Sequence, residues 1–129
     1  MKRRILISGA LLGIIGIILG AFAAHGLKPL LNTEAISTFE TGVKYQMYSA
    51  LFLLIVGGLP LASEKVKSIC FYLTVIGILF FSGSIYFLAT NTLTSFDFRV
   101  IALITPVGGT LLIAAWLVLL VSFIKLKKK

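Results

Sequence analysis

Few side chains in this sequence could take part in proton transfer, nucleophilic attack or metal binding. His25 is the only histidine and Cys70 is the only cysteine. Histidine is the side chain that changes charge near neutral pH, so His25 could accept a proton or contact a ligand at the mouth of a cavity. The alternative is a helix-end histidine that bonds a neighbouring carbonyl or a lipid headgroup. Its place at the end of an apolar run favours this second interpretation.

A second group consists of polar side chains within apolar stretches. At helical spacing, residues 45, 48 and 49 share one face, and so do residues 82 and 86. They could line a small polar cavity, or they could form hydrogen bonds between helices, each worth ~0.5–1.7 kcal/mol in a membrane. The second role is favoured. With the histidine, the candidate polar cluster comprises His25, Tyr45, Gln46, Tyr48, Ser49, Ser82, Ser84, Tyr86 and Thr105.

No spacing joins these residues into a recognised catalytic or metal-binding set. One histidine and one cysteine far apart cannot supply the four ligands of a structural zinc site. The segment 13–16 is Gly-Ile-Ile-Gly inside an apolar run, which is a packing pattern and not a phosphate-binding loop. Cys70 could be reactive or acylated, but a small apolar filler is favoured. We therefore predict a protein that is not an enzyme, without catalytic residues, metal or cofactor.

The composition indicates which solvent must surround the elements that carry these residues. Hydrophobic residues make up 59% of the 129 residues, whereas soluble domains average about 45–50%. A chain this short and apolar cannot cover a water-facing surface, so lipid must be part of its solvent. The net charge of +8 lies between the apolar runs and at both ends. This pattern suits contact with anionic lipid headgroups and not nucleic-acid binding.

The apolar runs predict an all-α bundle of four transmembrane helices in a single domain, 1–129. The first run, residues 5–24, would span roughly 30 Å, which matches a hydrocarbon core. An amphipathic outer segment, about 33–44, separates the first two helices; it lies in the interface or forms a wet leading end of the second helix. The helices are predicted at about 5–24, 43–60, 68–89 and 98–124.

A signal peptide is the alternative interpretation of the first apolar run. Residues 2–4 are basic, and residues 21–23 have the small-x-small form of a cleavage site. The run is longer than a usual signal-peptide core and three more membrane segments follow. An uncleaved first helix is therefore favoured.

Glycines recur at regular spacing in the first predicted helix. The steps of four, three and four residues place them on one helical face, where small residues let helix backbones approach closely. We expect this face to be a packing seam, through which the chain packs against itself or against a partner. The seam comprises Gly9, Gly13, Gly16 and Gly20.

Local signals predict where the helices begin, end and bend. Gly26 ends the first helix, and Asn32 or Thr33 caps the second. The pair formed by Thr94 and Asp97 resembles a capping box, which would start the fourth helix near residue 95. Pro106 cannot donate a backbone hydrogen bond, so a kink or local opening is expected there.

The distribution of positive charge predicts the orientation. If both termini are cytoplasmic, nine Lys and Arg residues lie inside and three lie outside, a clear positive-inside bias. The inside set is Lys2, Arg3, Arg4, Lys65, Lys67, Lys125, Lys127, Lys128 and Lys129; the outside set is Lys28, Lys44 and Arg99. His25 and the amphipathic segment then share the outer side.

Four motifs together resemble a family of small bacterial membrane proteins, the YgdD-like proteins, to which eukaryotic transmembrane protein 256 is similar. They are residues 20–27 (Gly-Ala-Phe-Ala-Ala-His-Gly-Leu), 43–48 (Val-Lys-Tyr-Gln-Met-Tyr), 81–86 (Phe-Ser-Gly-Ser-Ile-Tyr) and 104–109 (Ile-Thr-Pro-Val-Gly-Gly), with Trp116 downstream. The resemblance covers nearly the whole chain. It implies a four-helix integral protein of the bacterial inner membrane and no reaction.

Two positions depart from the family's usual pattern. The family usually has glycine where this chain has Ala23, and it usually has histidine where this chain has Ser49. The second departure argues against proton or metal chemistry that needs two histidines.

The sequence leaves three classes of function open. The favoured class is a structural or accessory membrane protein that forms a homo-oligomer or joins a membrane protein partner. The alternative is a small transporter or channel subunit with an outer-facing polar cavity near His25. A small multidrug exporter would need a carboxylate deep in the first helix, where this chain has Gly13, Ile14 and Ile15. A membrane enzyme has the least support.

Overall fold

The computed structural model describes residues 1–93 and 102–126, and within these ranges the protein is all-α. The helices are α1 (Lys2–His25), α2 (Thr33–Gly58), α3 (Glu64–Ala89) and α4 (Ile104–Ile124), and a short 3₁₀ turn, Asn91–Leu93, follows α3. The predicted all-α class is confirmed. α1, α3 and α4 are each long and apolar enough to cross a membrane.

Side-chain caps set the starts of α2 and α3. The backbone N–H of Ala35 donates to Oδ1 of Asn32 at 2.7 Å, so Asn32 is the N-cap of α2. The segment 33–44, predicted as an amphipathic stretch, is the first part of this helix. α3 begins several residues before the predicted start near 68, because the Val66 N–H donates to Oγ of Ser63 at 3.2 Å.

Gly26 ends α1 without a left-handed backbone. Its φ is −73°, in the right-handed region, and its N–H donates to the carbonyl oxygen of Phe22 at 2.7 Å. An added Cβ would lie 2.5 Å from the edge of the Phe22 ring, so this exposed ring would have to move aside for any larger residue. The next residue, Leu27, is only 2% exposed and anchors the connection to α2.

The position at which α4 begins changes the structural effect that is expected of Pro106. The predicted capping pair, Thr94 and Asp97, lies outside the described residues, as does the predicted start at 98. The described helix begins at Ile104, so Pro106 occupies its first turn. Backbone N–H groups in the first turn have no partner within the helix. No interior hydrogen bond of α4 is therefore lost at Pro106, and the kink that we expected from such a loss has no cause there.

The predicted glycine seam packs α1 against α2 of the same chain. A Cβ added to Gly9 would lie 3.0 Å from the carbonyl oxygen of Ala50, and one added to Gly16 would lie 2.6 Å from Sδ of Met47. The seam positions rise along α1 while their contacts fall along α2, so the two helices are antiparallel. A Cβ added to Gly13 or to Gly20 would lie at ordinary van der Waals distance from α2. Within one chain, α2 therefore occupies the seam.

A second close approach joins α3 and α4, and no spacing pattern in the sequence predicted it. A Cβ added to Gly108 would overlap the backbone nitrogen of Phe81 and lie 2.6 Å from the carbonyl oxygen of Gly77. Backbone cannot move aside as a flexible side chain can. The residue at 108 must therefore be glycine if the two helices are to cross at this distance.

Most of the buried apolar residues fall into two clusters. The larger draws on all four helices, whereas the smaller joins the end of α1, the start of α2 and the end of α3. The larger comprises Ile5, Phe52, Leu53, Val56, Cys70, Phe71, Ala115 and Leu119; the smaller comprises Ala23, Leu27, Phe39 and Ala89. Many large apolar side chains outside these clusters are exposed, which in a membrane means contact with lipid.

Candidate functional site

Gln46 is the polar side chain that links three helices. It lies on α2 and is only 4% exposed. Its Nε2 donates to the backbone carbonyl oxygen of Leu12 on α1 at 2.9 Å, and its Oε1 accepts from the hydroxyl of Tyr86 on α3 at 2.6 Å. A Cβ added to Gly16 would lie 3.5 Å from this Nε2. That distance is an ordinary van der Waals contact, so the amide lies directly against α1 at Gly16.

Ser82 makes a second link between α3 and α2. Its Oγ donates to the carbonyl oxygen of Gly42 at 2.6 Å, and the side chain is 2% exposed. A Cβ on Gly42 would lie 2.7 Å from the Tyr86 ring, so glycine at this position allows the ring to pack on α2. The same ring packs on Phe39 with a centroid distance of 4.8 Å.

Ser84 and Thr105 link α3 to α4. Their hydroxyl oxygens are 2.5 Å apart. Ser84 Oγ also lies 2.9 Å from the carbonyl oxygen of Phe81, to which it donates. Since a hydroxyl has one proton to donate, Thr105 is the donor in the pair. The link therefore uses the donor capacity of both side chains.

Three other members of the predicted cluster line a groove between α2, α3 and α4. Tyr45 and Tyr48 are exposed and pack edge to face at 5.4 Å, and Tyr45 also packs on Phe81 at 5.1 Å. Together with the buried Ser49 they border a groove of about 800 Å³. Its other walls are Phe81, Gly109, Leu112, Ile113, Trp116, Leu117 and Leu120. The groove is therefore apolar apart from its tyrosine end.

His25 stands apart from these groups. It is the last residue of α1 and is exposed. It does not line the groove, and it does not line the smaller cavity of about 230 Å³ at the same end of the bundle, between the end of α1 and the start of α2. The structure thus brings together Gln46, Ser82 and Tyr86, but it leaves the histidine outside.

Lys67 and Cys70 make further links that the sequence analysis missed. Lys67 is only 6% exposed, and its Nζ donates to the carbonyl oxygen of Gly57, in the last turn of α2, at 3.3 Å. A cation is favoured there because carbonyl groups at a helix C-terminus carry partial negative charge. Cys70 is fully buried, and its Sγ donates to the carbonyl oxygen of Ala115 on α4 at 3.7 Å.

A periodic signal for Lys67 was present in the sequence. Residues 67, 70, 71 and 74 follow helical spacing and are all buried, whereas the charge distribution had assigned Lys67 only to the cytoplasmic side. Thr74, on the same face, is 1% exposed, and its Oγ1 has no hydrogen-bond partner within the described ranges.

The arrangement as a whole connects helices. Each consecutive pair of helices is joined by at least one side chain that donates to a carbonyl or hydroxyl oxygen of its neighbour. In residues 1–93 and 102–126, no group of three or more His, Cys, Asp or Glu side chains could hold a metal ion.

Comparison with known proteins identifies relatives along almost the full chain. Residues 19–109 match the family described as "Protein of unknown function (DUF423)". A UPF0382 membrane protein of Haemophilus influenzae is 40% identical over 98% of both chains. The UPF0382 membrane protein SH2409 of Staphylococcus haemolyticus is 39% identical over 93% of this chain and 94% of its own.

A third relative bears the name given to the resemblance above. The UPF0382 inner membrane protein YgdD of Escherichia coli K12 is 38% identical over 99% of this chain and 95% of its own. No solved structure matches the chain. The resemblance inferred from the four motifs is confirmed, and this chain, an integral membrane protein, belongs to the DUF423 family of proteins of unknown function.

Proposed function

We propose that the protein is a structural or accessory component of the bacterial inner membrane, without an enzymatic role. One observation carries this proposal: Gln46 and Ser82, two buried polar side chains that could have lined a working cavity, donate instead to neighbouring helices. Gln46 has both ends of its amide engaged, one on α1 and one on α3. Such bonds hold a bundle together and leave few polar groups free for a substrate.

We propose that α2 is a fourth membrane span. Its first half carries Glu34, Glu40 and Lys44, which lowers its average hydropathy. However, α2 runs antiparallel beside α1 over the whole apolar stretch. Gly57 contacts Leu6 near one end of α1, and Val43 contacts Gly20 near the other. A helix that accompanies a membrane span over this length crosses the same hydrocarbon layer.

The orientation that we propose has both termini in the cytoplasm. With four antiparallel spans, the start of α1, the start of α3 and the end of α4 lie on one side, together with most of the lysines and arginines. This arrangement follows the positive-inside rule. The Escherichia coli relative is named an inner membrane protein, which supports the same membrane for this chain.

A transport role is the second candidate, and the groove favours it. Its volume of about 800 Å³ is within the range of small-molecule sites, and Tyr45, Tyr48 and Ser49 belong to the predicted polar cluster. Against transport, its remaining walls are apolar and exposed side chains such as Trp116 flank it. A groove open sideways to lipid is not a water-filled pathway.

Thiol accessibility separates the two candidates. In a Cys70→Ala background, the Ser49→Cys variant places a thiol in the wall of the groove, and the Lys28→Cys variant places one in the exposed connection after α1. We expect a charged, membrane-impermeant maleimide to label the second variant and not the first. Rapid labelling of the Ser49→Cys variant in folded protein would show water in the groove and favour transport.

A further inference from the structure

We propose that a cleft between α3 and α4, at the end of the bundle that carries Lys65 and Lys125, binds one anionic phospholipid. The headgroup phosphate would lie between the two ammonium groups, and an acyl chain would cover the apolar floor. This inference requires only that the protein lies in a membrane. It holds for a structural protein and for a transporter.

The cleft combines a cationic rim with an apolar floor. Its volume is about 410 Å³. Lys65 is in the first turn of α3, and Lys125 directly follows α4. Because the helices are antiparallel, these two positions meet at one end of the bundle. The lining residues are Lys65, Val66, Ile69, Leu117, Val118, Val121, Ser122 and Lys125.

Both rim lysines are free to bind an anion. Lys65 and Lys125 are exposed, and neither forms an ion pair with a carboxylate in the part of the chain that the structure describes. Lys67, two residues further along α3, is different: it is buried, and its Nζ bonds the Gly57 carbonyl oxygen. The rim therefore presents two unneutralised positive charges.

The floor of the cleft offers no free side-chain hydrogen-bond donor to an anion. Ser122 is its one hydroxyl, and Ser122 Oγ donates to the carbonyl oxygen of Leu119 within α4 at 2.8 Å. The other floor side chains are aliphatic, such as Ile69, which is 38% exposed, and Val121, which is 44% exposed. A small hydrophilic anion would leave this surface uncovered, whereas a phospholipid would cover it and place its phosphate at the rim.

Headgroup charge decides which phospholipid fits. Phosphatidylcholine carries a cationic group beside its phosphate, which would lie against the two ammonium groups. Phosphatidylglycerol has no such group. Basic pockets between membrane helices bind anionic headgroups, and each lysine near the surface contributes enough for a roughly fivefold change in affinity. Two lysines predict a preference of roughly 10–30-fold for the anionic lipid.

Native mass spectrometry of the detergent-solubilised protein, titrated with dioleoyl-phosphatidylglycerol or dioleoyl-phosphatidylcholine, tests the proposal. We expect the first phosphatidylglycerol to bind at least tenfold more tightly than phosphatidylcholine. The Lys65→Gln/Lys125→Gln variant should lose most of this preference, and the Lys65→Arg/Lys125→Arg variant should keep it. The matched control is Lys28→Gln/Lys44→Gln, which removes the same charge at the other end of the bundle and should bind as the wild type does.

Four results would overturn the proposal. The first is no lipid preference in the wild type. The second is an equal loss in the two Lys→Gln pairs, since net charge alone would then explain the binding. Displacement of the lipid by millimolar inorganic phosphate would indicate a small-anion site. Dimers that disappear in the Lys65→Gln/Lys125→Gln variant would indicate that a second copy of the chain covers the cleft.

Discussion

The Gln46→Leu substitution tests the structural role of the polar cluster most sharply. Leucine has a similar volume, so the packing of α2 is largely retained. The substitution removes two interhelical hydrogen bonds, one to the carbonyl oxygen of Leu12 and one from the hydroxyl of Tyr86. It introduces no charge and no new polar group.

The expected loss follows from these two bonds. Interhelical hydrogen bonds in membranes contribute about 0.6 kcal/mol on average and about 1.7 kcal/mol at most. The Leu12 carbonyl oxygen keeps its backbone hydrogen bond within α1, whereas the Tyr86 hydroxyl loses the acceptor to which it donates. We expect the free energy of unfolding to fall by about 1–3 kcal/mol.

A double-mutant cycle with Tyr86→Phe isolates the bond between the two side chains. Unfolding is measured by titrating SDS into mixed micelles and following near-UV circular dichroism. The Gln46–Tyr86 coupling energy should be about 0.5–1.5 kcal/mol. The matched control is Tyr48→Phe, which removes an exposed tyrosine hydroxyl from the same helix and should change stability by less than about 0.5 kcal/mol.

Two results would refute this reasoning. The first is a Gln46→Leu variant as stable as the wild type, which would mean that the buried amide does not hold the helices together. The second is a large loss of stability with a coupling energy near zero, which would place the effect of Gln46 outside its bond to Tyr86.

Three further predictions use the same unfolding assay. Gly108→Ala should lower the free energy of unfolding by more than about 2 kcal/mol or prevent assembly, because the added Cβ overlaps the backbone of α3. In the control Gly109→Ala, the Cβ would lie 3.4 Å from the Phe81 ring, and stability should change by less than about 1 kcal/mol. Equal effects of the two substitutions would contradict the close crossing of α3 and α4. Lys67→Met should lower the free energy of unfolding by about 1–2 kcal/mol, because it removes the cation from the end of α2. The control Lys65→Met, at an exposed position, should change it by less than about 0.5 kcal/mol. A larger loss for Lys65→Met than for Lys67→Met would contradict the bond between Lys67 and the end of α2. His25→Ala should stay within about 0.5 kcal/mol, and a larger loss would show a contact that the exposed position of His25 does not provide.

The sequence predicted features that depend on local pattern. Apolar length and composition indicated the membrane helices, and the spacing of Gly9, Gly13, Gly16 and Gly20 indicated a close helix contact. Asn32 was one of two expected caps because an N-cap needs a short acceptor side chain just before the helix. Each of these signals lies within a single helix or at its end.

The sequence could not supply features that depend on how neighbouring helices are rotated. Gln46 and Ser82 donate to backbone carbonyl oxygens. Every residue has a backbone carbonyl group, so the residue types in the sequence do not reveal which one is the acceptor. Lys67 was counted among the cytoplasmic positive charges, although the end of α2 provides a partner for it. Gly77 was missed because its contact with Gly108 depends on the crossing of α3 and α4.

The central claim is a bundle in which α2 crosses the membrane beside α1. The side of the membrane from which each of two single cysteines is labelled tests this claim. In a Cys70→Ala background, Lys28→Cys lies between α1 and α2, and Lys65→Cys lies in the first turn of α3. An impermeant maleimide added to intact spheroplasts should label the Lys28→Cys variant, and it should label the Lys65→Cys variant only after the membrane is broken. Labelling of both variants from the same side would show that α2 does not cross and would contradict the four-span bundle.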